Sequence, residues 1–132
     1  MADELVLHNH VAKVAIKAGQ AVAFVVGDDI TAPQCQPAAP TVTGLKNQIL
    51  GISAKDVAAG EAATILELIP GRIVQVRAGG TITAGSPLGI DSNGDFVDAT
   101  SGTAAAPIIA KTAASAAGDM VCAEIVHTCG LL

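Results

Sequence analysis

A short Ala-Gly-polar sequence occurs four times in this chain: Ala18-Gly19-Gln20, Ala59-Gly60-Glu61, Ala84-Gly85-Ser86 and Ala117-Gly118-Asp119. A type II turn requires positive φ at its third position, and glycine supplies it without steric penalty. Each copy is followed by apolar residues suited to a strand. The copies are unequally spaced, which argues against a solenoid of fixed period. They predict one turn type reused inside a compact all-β domain.

The stretch from Ala78 to Gly102 displays the pattern most fully. Thr81 to Thr83 leads into the third Ala-Gly turn, and Pro87 to Asp91 forms a short extended run. Asn93-Gly94 is a strong hairpin signal of type I′, a turn with φ > 0 at both central residues. Asp95 to Ala99 then returns with the alternation of a half-buried strand. Asp91 flanks the turn as a carboxylate whose loss is expected to cost little.

Elsewhere, Val11 to Lys17 alternates as a strand, and Ala21 to Gly27 is a continuous apolar strand. Ile49 to Lys55 follows, with Gly51 marking a bulge or close backbone approach. Ala62 to Ile69 and Arg72 to Ala78 flank Pro70-Gly71 and predict a second hairpin. Ala106 to Ala113 is expected to pair with Met120 to His127 across the fourth Ala-Gly turn. The alanine-rich run 103–117 raises a helical alternative, but Ile108-Ile109 and the threonines favour a strand. Eight or nine short strands predict a small single-domain β-barrel or β-sandwich. Residues 1–10 read as an extended N-terminal arm and 11–132 as a single β domain. Within it, 28–47 is a long loop carrying Pro33, Pro37 and Pro40, which position and composition mark as a binding element.

Composition narrows the partners. Of 132 residues 51% are hydrophobic, yet only 2% are aromatic, so the core is built of Ala, Val, Ile and Leu. Burying a Val or Leu contributes roughly 1.5–3 kcal/mol and an Ala far less. A modestly stable monomer completed by assembly is the expectation. A net charge of −5 with only 7 Lys and Arg argues against nucleic acid, which is held by clustered cations. The scarcity of aromatic rings removes stacking platforms as well. No run approaches the roughly 20 apolar residues that span a membrane, and MADELVLHNH lacks the apolar core of a signal peptide. The reading is a soluble protein, made in the cytoplasm, whose apolar surface is hidden against other chains.

Candidate chemistry is sparse. Cys35, Cys122 and Cys129 have no metal-binding spacing and, without an export signal, no disulfide framework. His8, His10, His127 and Cys129 lie near the two ends, and zinc would need four such ligands to converge. Asp91 to Asp95 imitates the start of a calcium loop, but the loop's sixth-position glycine and twelfth-position glutamate are missing. There is no G-x-S-x-G elbow, and Gly79-Gly80 lacks the lysine of a P-loop. Asp28, Asp29, Asp56, Glu61, Asp91, Asp95, Asp98 and Asp119 occupy turn positions. The sequence therefore predicts no catalytic residue, no cofactor and no metal site; it does not read as an enzyme.

Several motifs come in a recognisable order: Gly51-Ile52-Ser53, the turn Ala58 to Glu61, the strand Gly71 to Val76, the turn Ala84 to Leu88, the hairpin Asp91 to Gly94, and Ala114 to Asp119. In this order the chain resembles the capsid decoration proteins of tailed bacteriophages, also called cement or head-stabilising proteins. The likeness covers residues 49–126 well and the first two strands loosely; the loop 28–47 and the N-terminus depart from the pattern. It implies a structural virion protein, often a homotrimer. Such a protein binds the major capsid protein on the outer capsid surface and cements neighbouring capsomers. Two alternatives stand beside it. One is another structural protein of a phage, in its tail or baseplate. The other is a small carrier domain of the biotinyl or lipoyl type, for which Lys46 and Lys55 lack the flanking context.

Overall fold

The computed structural model describes residues 6–7, 10–24, 34–38, 49–99 and 105–126, which form strands and turns and no helix. Eleven strands follow in chain order: β1 (Val6–Leu7), β2 (Val11–Ala12), β3 (Ala21–Phe24), β4 (Gln34–Pro37), β5 (Ile49–Ser53), β6 (Ile65–Glu67), β7 (Ile73–Arg77), β8 (Pro87–Ile90), β9 (Phe96–Asp98), β10 (Ala105–Ala110) and β11 (Met120–Ile125). The all-β expectation holds. The strands exceed the eight or nine read from the sequence because the long loop holds β4 and the stretch read as an N-terminal arm holds β1.

Two sheets form, with orders β1-β6-β5-β3-β4-β2 and β7-β11-β10-β8-β9. Each closes on itself. In the first, β1 pairs with β6 through Val6↔Leu66 and Leu7↔Ile65, and β2 reaches the same flank through an antiparallel bridge from Val11 to Ala62. In the second, β9 returns to the end of β7 through a parallel bridge between Ala78 and Phe96. Because each closure is a single bridge, it brings the edge strands together at one end and shortens the unpaired edges, the hazard of short sheets, without abolishing them.

The two rings are copies of one another. β1 and β2 together correspond to β7, β3 to β8, β4 to β9, β5 to β10 and β6 to β11. The pairing around each ring then follows one cyclic order. The correspondence extends to registers: the parallel contact Ala12↔Cys35 matches Ala78↔Phe96. Ala21↔Ile52 matches Pro87↔Ile109, and both of those pairings carry a register shift. It is sharpest at the Ala-Gly turns. The glycines have φ between 87° and 92°, and the residue after each donates three positions back, as Gln20 N to Lys17 O and Ser86 N to Thr83 O. The turns meet in pairs. Ile16 and Val57 exchange both backbone hydrogen bonds, as do Ile82 and Ala114. The amides of Gly19, Gly60, Gly85 and Gly118 donate at 2.8 Å to Ser53, Ala12, Ala110 and Ala78 respectively.

Alternation of side chains along each strand gives each ring its own interior. Ala12, Ile16, Val22, Cys35, Val57, Ala63 and Ile65 fill the first. Their counterparts Ala78, Ile82, Leu88, Phe96, Ala114, Val121 and Ala123 lie in the second. The outward residues Ala21, Ala23, Ala38, Ile52 and Leu68 of the first ring join the second ring's cluster, so one core runs between the rings.

Two expectations are corrected. Ile69 to Arg72 is a turn, with Arg72 N donating to Ile69 O at 3.0 Å and Gly71 at φ 86°, but it makes no hairpin. β6 pairs with β1 and β5, and β7 pairs with β11. A turn of this hand splays its flanking strands, and here it joins the two rings. The Asn93-Gly94 turn is not type I′, because no described residue other than glycine has positive φ. Gly94 N donates to Asp91 O and Asp91 N to Asp95 O, which makes a three-residue loop with a left-handed glycine at its end.

Candidate functional site

The feature that organises the molecule is the junction between the rings. Gln20, polar and buried, follows the first Ala-Gly turn and points across to the β8–β9 hairpin. Its Nε2 donates to Asn93 O at 3.0 Å and to Asp95 Oδ1 at 2.9 Å, while its Oε1 accepts from Lys17 N at 2.9 Å. Arg77 Nε lies 3.3 Å from the same Asp95 oxygen, a charge pair whose geometry is too poorly aligned for a hydrogen bond. Backbone bonds reinforce the contact: Ala21 N donates to Gly94 O, and Arg77 N to Gly19 O, each at 2.9 Å. Gly94 is pressed so close that a Cβ there would meet Pro37 Cβ at 2.8 Å.

Beside this junction lies an open groove of ≈ 580 Å³, bounded by the bridged pair Ile16 and Val57, by Pro37 and by the tip Ser92-Asn93. Lys17 and Asp56 stand at its walls, but Asp56 Oδ1 already accepts from Ala18 N at 2.8 Å. Asp56 and Gln20 bond to the first Ala-Gly turn, and Gln20 also holds the two rings in fixed relation.

Of the ligand candidates singled out from the sequence, His10, Cys35 and Cys122 lie within the described residues, and they occupy separate elements. His10 sits between β1 and β2. Burial lowers its pKa, and its buried Nδ1 has no partner among the described residues. Cys35 is enclosed in the first ring, where burial pushes its thiol up to about 11. Cys122 lies half-buried on β11. His8, His127 and Cys129 lie outside the described residues, as does most of the loop 28–47. Within the stretch read as an arm, Val6 and Leu7 belong to the sheet. Among the described residues no group of three or more His, Cys, Asp and Glu side chains is placed to hold a metal ion. Asp91 serves its own loop, its Oδ1 accepting from Asn93 N at 2.8 Å and Asp95 N at 3.0 Å. Sequence reasoning missed Gln20, Arg77 and Asp95 as a unit. The polar residue after the Ala-Gly turn was visible, but nothing local says that this one reaches the other ring.

Neither a protein-family model nor a curated protein sequence matches the chain. The fold is similar to a crystal structure, that of head fiber gp8.5 N base in bacteriophage phi29. The TM-score is 0.70 at 22% identity, over 95% of this chain and 96% of that one. At this identity the likeness is one of fold, and it extends through both rings.

Proposed function

We propose that this chain is a structural protein of a bacteriophage virion that attaches to the outer surface of the capsid and stabilises the shell. The observation that carries the reading is the likeness, over nearly the whole of both chains, to a head fiber base. The order of turn motifs from Gly51 to Asp119 points the same way. In this reading the partners are the major capsid protein and further copies of the chain, assembled as a homotrimer, and the role is binding rather than catalysis. Nucleic acid and membrane play no part. The protein is made in the host cytoplasm and ends on the virion exterior.

The physics of such a role is simple. A repeating shell presents the same site many times, and linking subunits makes the second and third attachments intramolecular. Weak single contacts then give firm attachment, and capsomers held by a shared subunit must break extra contacts before they separate. The test is to measure heat and osmotic resistance of shells assembled from the capsid protein encoded alongside this chain. Added protein should raise the rupture threshold at saturating occupancy. An unchanged threshold with the protein bound would remove cementing from the function and leave attachment alone.

A further inference from the structure

We infer that the outer row Pro87–Ile109–Glu124–Ile73 of the second ring is a self-association surface, covered by the first ring of another copy of this chain. The inference rests on the self-association contained in the proposed function and names its contact.

The repeat supplies the reasoning. In the first ring, Ala21 pairs with Ile52 and Ile52 with Leu66, forming an outward row across β3, β5 and β6. The second ring covers that row: Ala21 and Ile52 are buried and join its cluster, with Leu66 packed against them. The corresponding row of the second ring is Pro87, Ile109 and Glu124, continued by Ile73 through the register of β10, β11 and β7. Among the described residues this row is covered only in part, Ile109 and Glu124 being half-buried. Pro87 is exposed, Ile73 is 56% exposed, and nearby Val126 is 36% exposed. Its one charge, Glu124, is matched by Lys111 at 3.3 Å. Large exposed aliphatic groups around a paired charge suit an interface better than a solvated face.

The same repeat says what covers it. The end of the second ring that carries Val76, Arg77 and Met120 lies beside the first row: a Cβ on Gly19, two residues before Ala21, would lie 2.6 Å from Arg77 N and 2.8 Å from Met120 Cε. The registers Met120↔Arg77 and Val11↔Ala62 correspond, so the equivalent end of the first ring carries His10, Val11 and Ala62. The contact joins unlike surfaces, head to tail, and such contacts build rings when the rotation closes. Three copies joined this way would alternate covalent and non-covalent contacts between six rings.

The test uses the full chain. Native mass spectrometry should find wild type and Val14→Asp oligomeric, and the doubly substituted Ile73→Asp, Pro87→Asp protein monomeric with an unchanged circular-dichroism spectrum. A short bis-maleimide should link subunits in a Ser86→Cys, Ala62→Cys protein and in neither single variant beyond the native-cysteine background. An oligomeric Ile73→Asp, Pro87→Asp protein, or an oligomeric double-cysteine protein that does not cross-link, overturns the inference. A wild type that is monomeric both free and on shells also overturns it, while leaving attachment intact. Failure of wild type to pellet with shells instead overturns the proposed function and leaves the contact between copies standing.

Discussion

The side-chain amide of Gln20 donates to Oδ1 of Asp95 at 2.9 Å, and that bond ties the first turn of the chain to the hairpin of the second ring. Gln20 is 7% exposed, so its bonds compete little with water. Removing it leaves Asn93 O and Lys17 N short of a partner as well. Gln20→Ala should cost about 2–3 kcal/mol, the range for losing buried hydrogen bonds that include a charged acceptor. Gln20→Glu would set a carboxylate against Asp95, so its destabilisation should shrink as the pH falls. Urea unfolding at two pH values measures both effects.

Gly94 and Gly60 share nearly the same backbone, with φ of 87° and 89°, yet their surroundings differ. A Cβ at Gly60 meets nothing within 4 Å, whereas at Gly94 it meets Pro37, Ala21 and Ala38. Gly60→Ala should therefore cost about 1–2 kcal/mol, the backbone term alone. Gly94→Ala should cost more, because the rings must also move apart. Equal losses in the two variants would mean that the junction yields freely.

Asp91→Ala is expected to cost about 1–2 kcal/mol, because two backbone amides lose their acceptor. This replaces the smaller effect anticipated from the sequence, where the carboxylate reads only as a flank of the turn. Calcium or a chelator should leave the melting temperature of the wild type where it was. A calcium-dependent rise that vanishes in Asp91→Ala would contradict the structural role.

At pH 8 the Cys35 thiol, enclosed and with its pKa pushed up to about 11, should resist alkylation in the native protein. Half-buried Cys122 should react before Cys35. Peptide mapping after brief iodoacetamide treatment distinguishes them; equal labelling would show that the first ring opens readily.

His10 has a pKa lowered by burial from the ordinary 6.5. The unfolded chain then binds more protons than the folded one between the two values. His10 thus withdraws stability as the pH falls through 6.5 and stops doing so below its folded pKa. His10→Gln should flatten that part of the melting-temperature profile relative to wild type. An identical slope in both proteins would exclude the effect.

Much of the architecture was legible because turns are local. The Ala-Gly turns, the strand over Ile108-Ile109 and the pairing of β10 with β11 all follow from residues close in sequence. The duplication was not legible. Its repeated positions are common apolar residues, Ala12 against Ala78 and Ile16 against Ile82, which any β protein uses. The two copies also differ in loop length, so turns that correspond are not evenly spaced. Pro70-Gly71 misled for a related reason: a turn dictates a reversal, but strand partners are decided by which faces can be buried. The Gln20–Asp95 contact joins residues distant in sequence, and no local pattern encodes it.

The most direct measurement is electron cryo-microscopy of shells assembled from the capsid protein encoded alongside this chain, imaged with and without added protein. A decorating protein predicts extra density on the outer surface, repeated at equivalent lattice positions and large enough to hold both rings of each chain. Shells that stay bare at saturating protein, with all of it left in the supernatant, would contradict the function proposed.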